Sequence, residues 1–283
     1  MRRLICGLIA VCLLSSCSPG GFTELQRNVT LAAQQQLQRT LASHFTRAFG
    51  NSIDTVIAGL SAAGGFLDNP LVRVLLPPPL GLVLAVTRDF QADPQATVLE
   101  HLINGAAQAA IPGAGPVLRA ALGSLAAGDA EALLQGGKTA ATEFLMASTR
   151  EVLLETLGPV VGETLLQSGA NDLYADALRL YELQKSIALA GEEVLRDALP
   201  EPGAPDVLVP QIAFPVPPDG SPVVAAAESI SAAVLLAQVP PQNLQEYVTG
   251  KAVDGLFAAL AEREQAIRRE IDTMRSGLVV PGG

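Results

Sequence analysis

Cys17 carries the clearest chemical signal in this sequence, because it stands at the end of a secretory leader. Arg2 and Arg3 give the leader a positive start, and residues 4–14 form an apolar stretch that is too short to span a bilayer as a helix. Two small serines separate this stretch from Cys17, as expected just before a signal-peptide cleavage site. We therefore expect a signal peptide over residues 1–16, with Cys17 as the first residue of the exported chain.

The run Leu-Ser-Ser-Cys at residues 14–17 resembles the bacterial lipobox, in which the cysteine thiol receives a diacylglyceryl group. The resemblance implies lipidation of Cys17 and a membrane anchor of acyl chains such as palmitate, which contribute about 0.8 kcal/mol per buried methylene. Serine rather than aspartate follows Cys17, which under the enterobacterial sorting rule points to the periplasmic face of the outer membrane. The alternatives are an ordinary leader with a chance cysteine and a signal anchor.

The positions of the cysteines agree with the lipobox. All three, Cys6, Cys12 and Cys17, lie in the leader or at its end. After cleavage and acylation the chain would contain neither a free thiol nor a disulfide, although an envelope compartment permits disulfides.

Six polar residues are candidates for a binding site, and three of them share a face of the last predicted helix. Tyr247, Lys251 and Asp254 are spaced i, i+4 and i+7. The structural alternative is an ion pair between Lys251 and Asp254, with Tyr247 packing through its ring. The candidates are Asn69, Asn104, Thr142, Tyr247, Lys251 and Asp254.

Residues 132–139, Ala-Leu-Leu-Gln-Gly-Gly-Lys-Thr, match a relaxed phosphate-loop pattern in which alanine replaces the first glycine. A true phosphate loop follows a buried strand and holds phosphate at a helix N-terminus. Residues 129–134, however, are typical of a short helix. We therefore interpret the stretch as a glycine helix stop followed by a threonine cap, and we expect no nucleotide ligand.

Other catalytic patterns are weak. His44 and His101 stand alone on separate predicted helices, and neither has a second ligand at a metal-binding interval. The sequence contains no Gly-x-Ser-x-Gly elbow, and no carboxylate pair stands out for glycosidase chemistry. We expect no metal and no cofactor, and these weak patterns favour a non-enzymatic protein over an enzyme.

Composition limits the partners. Removing Arg2 and Arg3 changes the formal net charge from -10 to -12, so a nucleic acid is an unfavourable ligand. Hydrophobic residues make up 49% of the chain but aromatic residues only 4%, which favours closely packed helices. No run of eighteen apolar residues follows the leader, so no second membrane crossing is expected. The remaining partners are the membrane, through the acyl chains, and an envelope protein or apolar ligand.

Glycine and proline positions predict an all-α fold, with a single domain of roughly eight to ten helices. Residues 17–21 are expected to form a lipidated tether, followed by an N-terminal helix at 22–49 that ends at Gly50. An ordered Gly/Pro-rich loop is expected at 64–80, in which residues 71–76 form either a short strand or a packed loop. The domain at 50–276 would precede a disordered tail at 277–283. Further helices are expected at about 94–111, 116–127, 129–136, 139–157, 173–199, 221–238 and 244–275.

Several blocks look like one family. They are Gly65–Pro70 (GFLDNP), Leu102–Leu122 (LINGAAQAAIPGAGPVLRAAL), Asp129–Leu145 (DAEALLQGGKTAATEFL) and Tyr247–Ile271 (YVTGKAVDGLFAALAEREQAIRREI). Together they resemble the bacterial domain of unknown function 4197 family of exported, mostly helical proteins. The resemblance implies a helical fold and no assigned activity. Family members often carry an acidic residue where Lys138 stands, and they lack an equivalent of about 184–240, which is implied to be a Pro-rich insertion.

Two functional hypotheses follow. The first is a non-enzymatic envelope lipoprotein that is anchored by Cys17 and binds a protein or an apolar ligand. The second is an enzyme of unknown reaction, whose site forms from the dispersed polar candidates around a pocket between helices. Convergence of those candidates on one water-accessible cavity would favour the second hypothesis.

Overall fold

The computed structural model of the protein describes residues 19–81, 94–198 and 240–278. Within these ranges the chain is helical and contains no strand, which confirms the all-α prediction. The predicted count of eight to ten helices stays a prediction. The helices are α1 (Pro19–Ser61), α2 (Pro94–Ala110), a 3-10 turn (Ile111–Gly113), α3 (Ala114–Gly123), α4 (Ala127–Gln135), α5 (Ala140–Gln167), α6 (Ala170–Ala198) and α7 (Leu244–Leu278).

Several predictions fall on other parts of the chain. Cys17, the proline-rich stretch 200–222 and the helix expected at 221–238 lie outside the described residues. Of the predicted insertion at about 184–240, residues 184–198 belong to α6. Of the predicted tail, residues 277 and 278 belong to α7.

The α1 helix is continuous, so the predicted helix end at Gly50 was wrong. Phe49 and Ile53 lie on either side of this glycine, and both are fully buried. A glycine inside a helix costs about 1 kcal/mol relative to alanine. Burial of each large apolar side chain contributes about 1.5–3 kcal/mol, which outweighs that cost. The helix also starts at Pro19, inside the stretch that was expected to be a tether.

The two halves of α1 differ in burial. Residues 41–60 carry a buried stripe of Leu41, Phe45, Phe49, Ile53 and Leu60, which packs into the core. Residues 29–40 are almost all exposed, and they include three large apolar side chains, those of Val29, Leu31 and Leu37. We call residues 19–40 the α1 extension; at 1.5 Å per residue it is about 33 Å long.

A similar correction applies to α5, which runs through Gly158 and Pro159 although an interruption was predicted there. Proline inside a helix costs about 3 kcal/mol. Leu157, Val161 and Leu165 are fully buried on the same helix and hold it against the core. The exposed face of α5 carries Pro159, so no buried partner has to accommodate its ring.

The core lies between α7, α5 and the inner half of α1. Val248, Ala252, Val253, Leu256 and Leu260 are fully buried along α7. Gly255 lies on the same helix, and a Cβ atom there would be 3.1 Å from Val72 Cβ. This glycine therefore permits close approach of the loop between α1 and α2.

The loop after α1 is ordered, as predicted, and residues 71–76 form a packed segment rather than a strand. Val72, Val74 and Leu76 are buried, whereas Leu71, Arg73 and Leu75 alternate with them and are exposed. None of the helices in the described part of the chain is long and apolar enough to cross a membrane.

Candidate functional site

Glu264 is the most unusual residue of the described structure, because its carboxylate is fully buried. It follows Leu256 and Leu260 at four-residue steps on the inner face of α7, which places it in the core. A buried carboxylate is costly unless it is paired and hydrogen-bonded. The surroundings of Glu264 supply both.

The carboxylate of Glu264 caps the N-terminus of α5. Ala141 and Thr142 donate their backbone N–H groups to Oε1 and Oε2 at 3.0 and 2.8 Å, and the Thr142 hydroxyl donates to Oε2 at 2.7 Å. Amides in the first turn of a helix have no partner within the helix, and the helix dipole favours a negative charge there. Thr142, a predicted binding candidate, is therefore part of this cap.

Arg268 completes the arrangement one turn later on α7. Its Nε and Nη2 donate to Glu264 Oε1 at 2.9 and 2.7 Å. Its Nη1 and Nη2 also donate to the carbonyl oxygens of Leu134 and Leu133, at the C-terminal end of α4, at 3.0 and 2.7 Å. The guanidinium lies over the Phe45 ring, 4.9 Å from its centroid. The pair thus joins α7 to α1, α4 and α5.

This geometry explains the phosphate-loop pattern at residues 132–139. The turn between α4 and α5 contains the two glycines, and α5 follows as in a phosphate loop. The position at its first amides, however, is occupied by Glu264 rather than open to phosphate. Thr139 donates its hydroxyl to Glu143 Oε1 at 2.7 Å, within the protein.

Asn104 is buried and ties the loop between α1 and α2 to α2. Its Oδ1 accepts from the Val74 N–H at 2.9 Å, and its Nδ2 donates to the Val74 carbonyl at 2.8 Å. Nδ2 also donates to the Glu100 carbonyl at 2.7 Å. The side chain of Glu100 receives two bonds from Arg73, at 3.0 and 2.8 Å. Asn104 therefore pairs with both the N–H and the carbonyl of Val74, as a neighbouring strand would do in a sheet.

Asn69 lies at the other end of the same loop. Its Oδ1 accepts from the Leu71 N–H at 3.1 Å, which is a local turn contact. Asn69 also lines an open cavity of about 350 Å³ between the end of α1 and α7, together with the charged residues Asp68, Glu262 and Arg263.

The remaining candidates lie on the described part of α7, where Tyr247 packs as the structural alternative expected but the ion pair between Lys251 and Asp254 is absent. Asp254 accepts from Arg150 Nη1 of α5 at 2.7 Å, so its ion-pair partner is not Lys251. Lys251 instead lies over the ring of Tyr247, with Nζ 5.7 Å from the centroid. Tyr247 packs against the core, and burial raises the pKa of its hydroxyl.

The six candidates do not converge on one cavity. Asn69 and Asn104 hold one loop, Thr142 belongs to the Glu264 cap, and the three α7 residues lie elsewhere. Among the residues that the structure describes, no buried side-chain nitrogen or oxygen lacks a hydrogen bond, and no cluster of His, Cys, Asp or Glu could hold a metal ion. The buried polar side chains therefore form hydrogen bonds that hold the helices and the loop after α1 together.

Replacing Asn104 by alanine is expected to lower the free energy of unfolding by about 3 kcal/mol, because both backbone groups of buried Val74 lose their partner. Urea unfolding followed by circular dichroism at 222 nm measures this. Asn69→Ala is the matched control and should cost about 1 kcal/mol, since it removes one exposed contact. Equal effects of the two substitutions would contradict the assigned role of Asn104.

Comparison with known proteins identifies the family of this chain but no individual relative. No curated protein and no solved structure matches the chain. The sequence model of the family described as "Protein of unknown function (DUF4197)" matches residues 35–199 and 221–280. The unmatched internal stretch is thus residues 200–220, narrower than the insertion at about 184–240 that was predicted. Since the match covers most of the chain, this protein belongs to the DUF4197 family.

Proposed function

We propose that this protein is a bacterial envelope lipoprotein that acts as a non-enzymatic binding or interaction module. Acylated Cys17 anchors it, at the periplasmic face of the outer membrane, and the helical domain binds an envelope protein or an apolar ligand. The proposal rests on the lipobox resemblance and on the continuous α1 helix, whose N-terminal part extends beyond the buried core.

The continuity of α1 carries the proposal. The helix starts at Pro19, two residues after Cys17, and runs without a break into the buried stripe around Phe45 and Phe49. A lipid on Cys17 would therefore be joined to the domain by a helix about 33 Å long, and not by a flexible tether. Such a spacer holds a domain at a distance from the bilayer surface.

The contacts of the buried polar residues favour a binding protein over an enzyme. Glu264, Arg268 and Asn104 are the groups whose burial best suits a reactive role, and each is engaged by helix ends or by a loop backbone. The exposed apolar side chains of the α1 extension, Val29, Leu31 and Leu37, offer contact area outside the core.

The Cys17→Ala substitution is expected to move nearly all of the protein from the membrane fraction to the soluble fraction, because the acyl chains supply the anchoring energy. Fractionation of native envelopes with an immunoblot measures this, and labelling with a palmitate analogue should be lost in parallel. Cys12→Ala, which changes a cysteine inside the leader, is the matched control and should leave both readouts unchanged.

Retention of Cys17→Ala in the membrane fraction would contradict the lipid anchor. Crosslinking in native envelopes followed by a pull-down then tests the interaction module. A partner captured by the parent protein but lost with Cys17→Ala would show that anchoring positions the domain for binding. Turnover of a small molecule by the purified protein would contradict the non-enzymatic assignment.

A further inference from the structure

A polar cavity of about 400 Å³ lies beside the Glu264–Arg268 pair, between α1, the turn from α4 to α5, and the C-terminal part of α7. Gln38 lines it from α1, Gly137 and Lys138 from the turn, and Asp272 and Arg275 from α7. Arg268 forms part of the wall. The size suits a small ligand.

The charge of the lining differs from that of the whole chain. Lys138, Arg268 and Arg275 face one carboxylate, Asp272, although the chain carries a net charge of -10. Arg268 is held by its bonds to Glu264 and to the end of α4. Within the described ranges, Lys138 and Arg275 form no ion pair and remain able to bind an anion.

The backbone of the turn adds donors. In the part of the chain that the structure describes, the N–H groups of Gly137 and Lys138 donate to no protein acceptor. A Cβ atom on Gly137 would meet no atom within 4 Å, so packing does not require glycine at this position. A Cβ atom on Gly136 would instead lie 2.7 Å from Ala140 Cβ. Gly137 thus leaves open space and unpaired amides at the edge of the cavity.

We propose that this cavity binds a small anion of the phosphate type through Lys138, Arg275 and the amides of the turn. An arginine guanidinium donates two parallel hydrogen bonds to a phosphate, and a lysine ammonium adds a point charge. The first amides of α5 take no part, because Glu264 already occupies them. The ligand is either a soluble phosphate compound or the headgroup of an anionic lipid, which share this chemistry.

The test uses the full chain with Cys17→Ala, so that acyl insertion does not contribute, and titrates it with inorganic pyrophosphate in a calorimeter. We expect saturable binding that weakens at higher salt. Lys138→Ala and Arg275→Ala should each weaken it by about fivefold, and Asp272→Asn should strengthen it by a similar factor. Arg269→Ala removes the same charge from an exposed α7 position outside the cavity lining and is the matched control.

A flotation assay with phosphatidylglycerol vesicles separates the two sources, with phosphatidylcholine vesicles as the control. Pyrophosphate binding that depends on Lys138 and Arg275 supports a soluble anion, and vesicle binding alone with the same dependence supports a lipid headgroup. Absence of binding to either probe, or an equal loss with Arg269→Ala, would overturn the proposal. Because the Cys17→Ala variant carries no acyl chains, neither result depends on the lipid anchor.

Discussion

A protein in which Glu264 is replaced by alanine is expected to lose about 3–5 kcal/mol of its free energy of unfolding. The substitution leaves Arg268, whose side chain is 13% exposed, without its counter-charge. It also leaves two amides and one hydroxyl at the start of α5 without an acceptor. Removing one partner of a buried ion pair costs far more than the pair itself contributes, because the remaining charge stays buried.

Urea unfolding followed by circular dichroism measures this loss, and the chain offers a matched control. Glu270 is an exposed acid on the same helix, and Glu270→Ala should change the free energy of unfolding by no more than about 0.5 kcal/mol. If Glu264→Ala were as mild as Glu270→Ala, the cap would have no structural role. Glu264→Gln keeps the shape of the side chain but not the charge, and it should lie between the two.

The second large effect is expected at Gly65, just beyond the end of α1. A Cβ atom there would lie 2.5 Å from the carbonyl oxygens of both Gly59 and Leu60. Those atoms belong to helix backbone and cannot rotate away as a side chain does. Gly65→Ala should therefore lower the free energy of unfolding by about 3 kcal/mol, a value at the upper end for overpacking.

Gly59→Ala, six residues earlier, is the matched control with the opposite sign. A Cβ atom at Gly59 meets nothing within 4 Å, and the residue lies inside α1. Alanine is favoured over glycine in a helix, so this variant should gain up to about 1 kcal/mol. Paired thermal melts of the two variants test the geometry, and a shift of the same sign in both would contradict it.

The helical class could be predicted from the sequence, because apolar spacing and glycine or proline punctuation are local signals. The two wrong helix ends, at Gly50 and before Gly158, show where local signals fail. At both places the helix is held together by fully buried side chains, Phe49 and Ile53 in α1 and Leu157 and Val161 in α5. Their partners are distant in sequence, so a local pattern of glycine and proline does not include them.

The candidate site was predictable only in part, for the same reason. The i, i+4 spacing of Glu264 and Arg268 is visible in the sequence, but an exposed pair and a buried pair have the same spacing. The signal that separates them is the apolar stripe through Leu256 and Leu260, which Glu264 continues. Asn104 was chosen as a polar candidate, yet its partner Val74 is 30 residues away, and no spacing rule links them.

The cap on α5 also constrains the order in which the chain can fold. Glu264 is 123 residues from Ala141, so the start of α5 receives its counter-charge only when the last long helix is present. For a contact of such sequence separation, the loop-closure entropy must be overcome before the contact contributes to stability. Until residues 264 and 268 are present, the first turn of α5 lacks its Glu264 acceptor and the last carbonyls of α4 lack their Arg268 donor. The last helix therefore supplies hydrogen-bond partners to two helix ends that precede those partners by more than 120 residues, and a chain truncated before residue 264 would lack both sets of bonds.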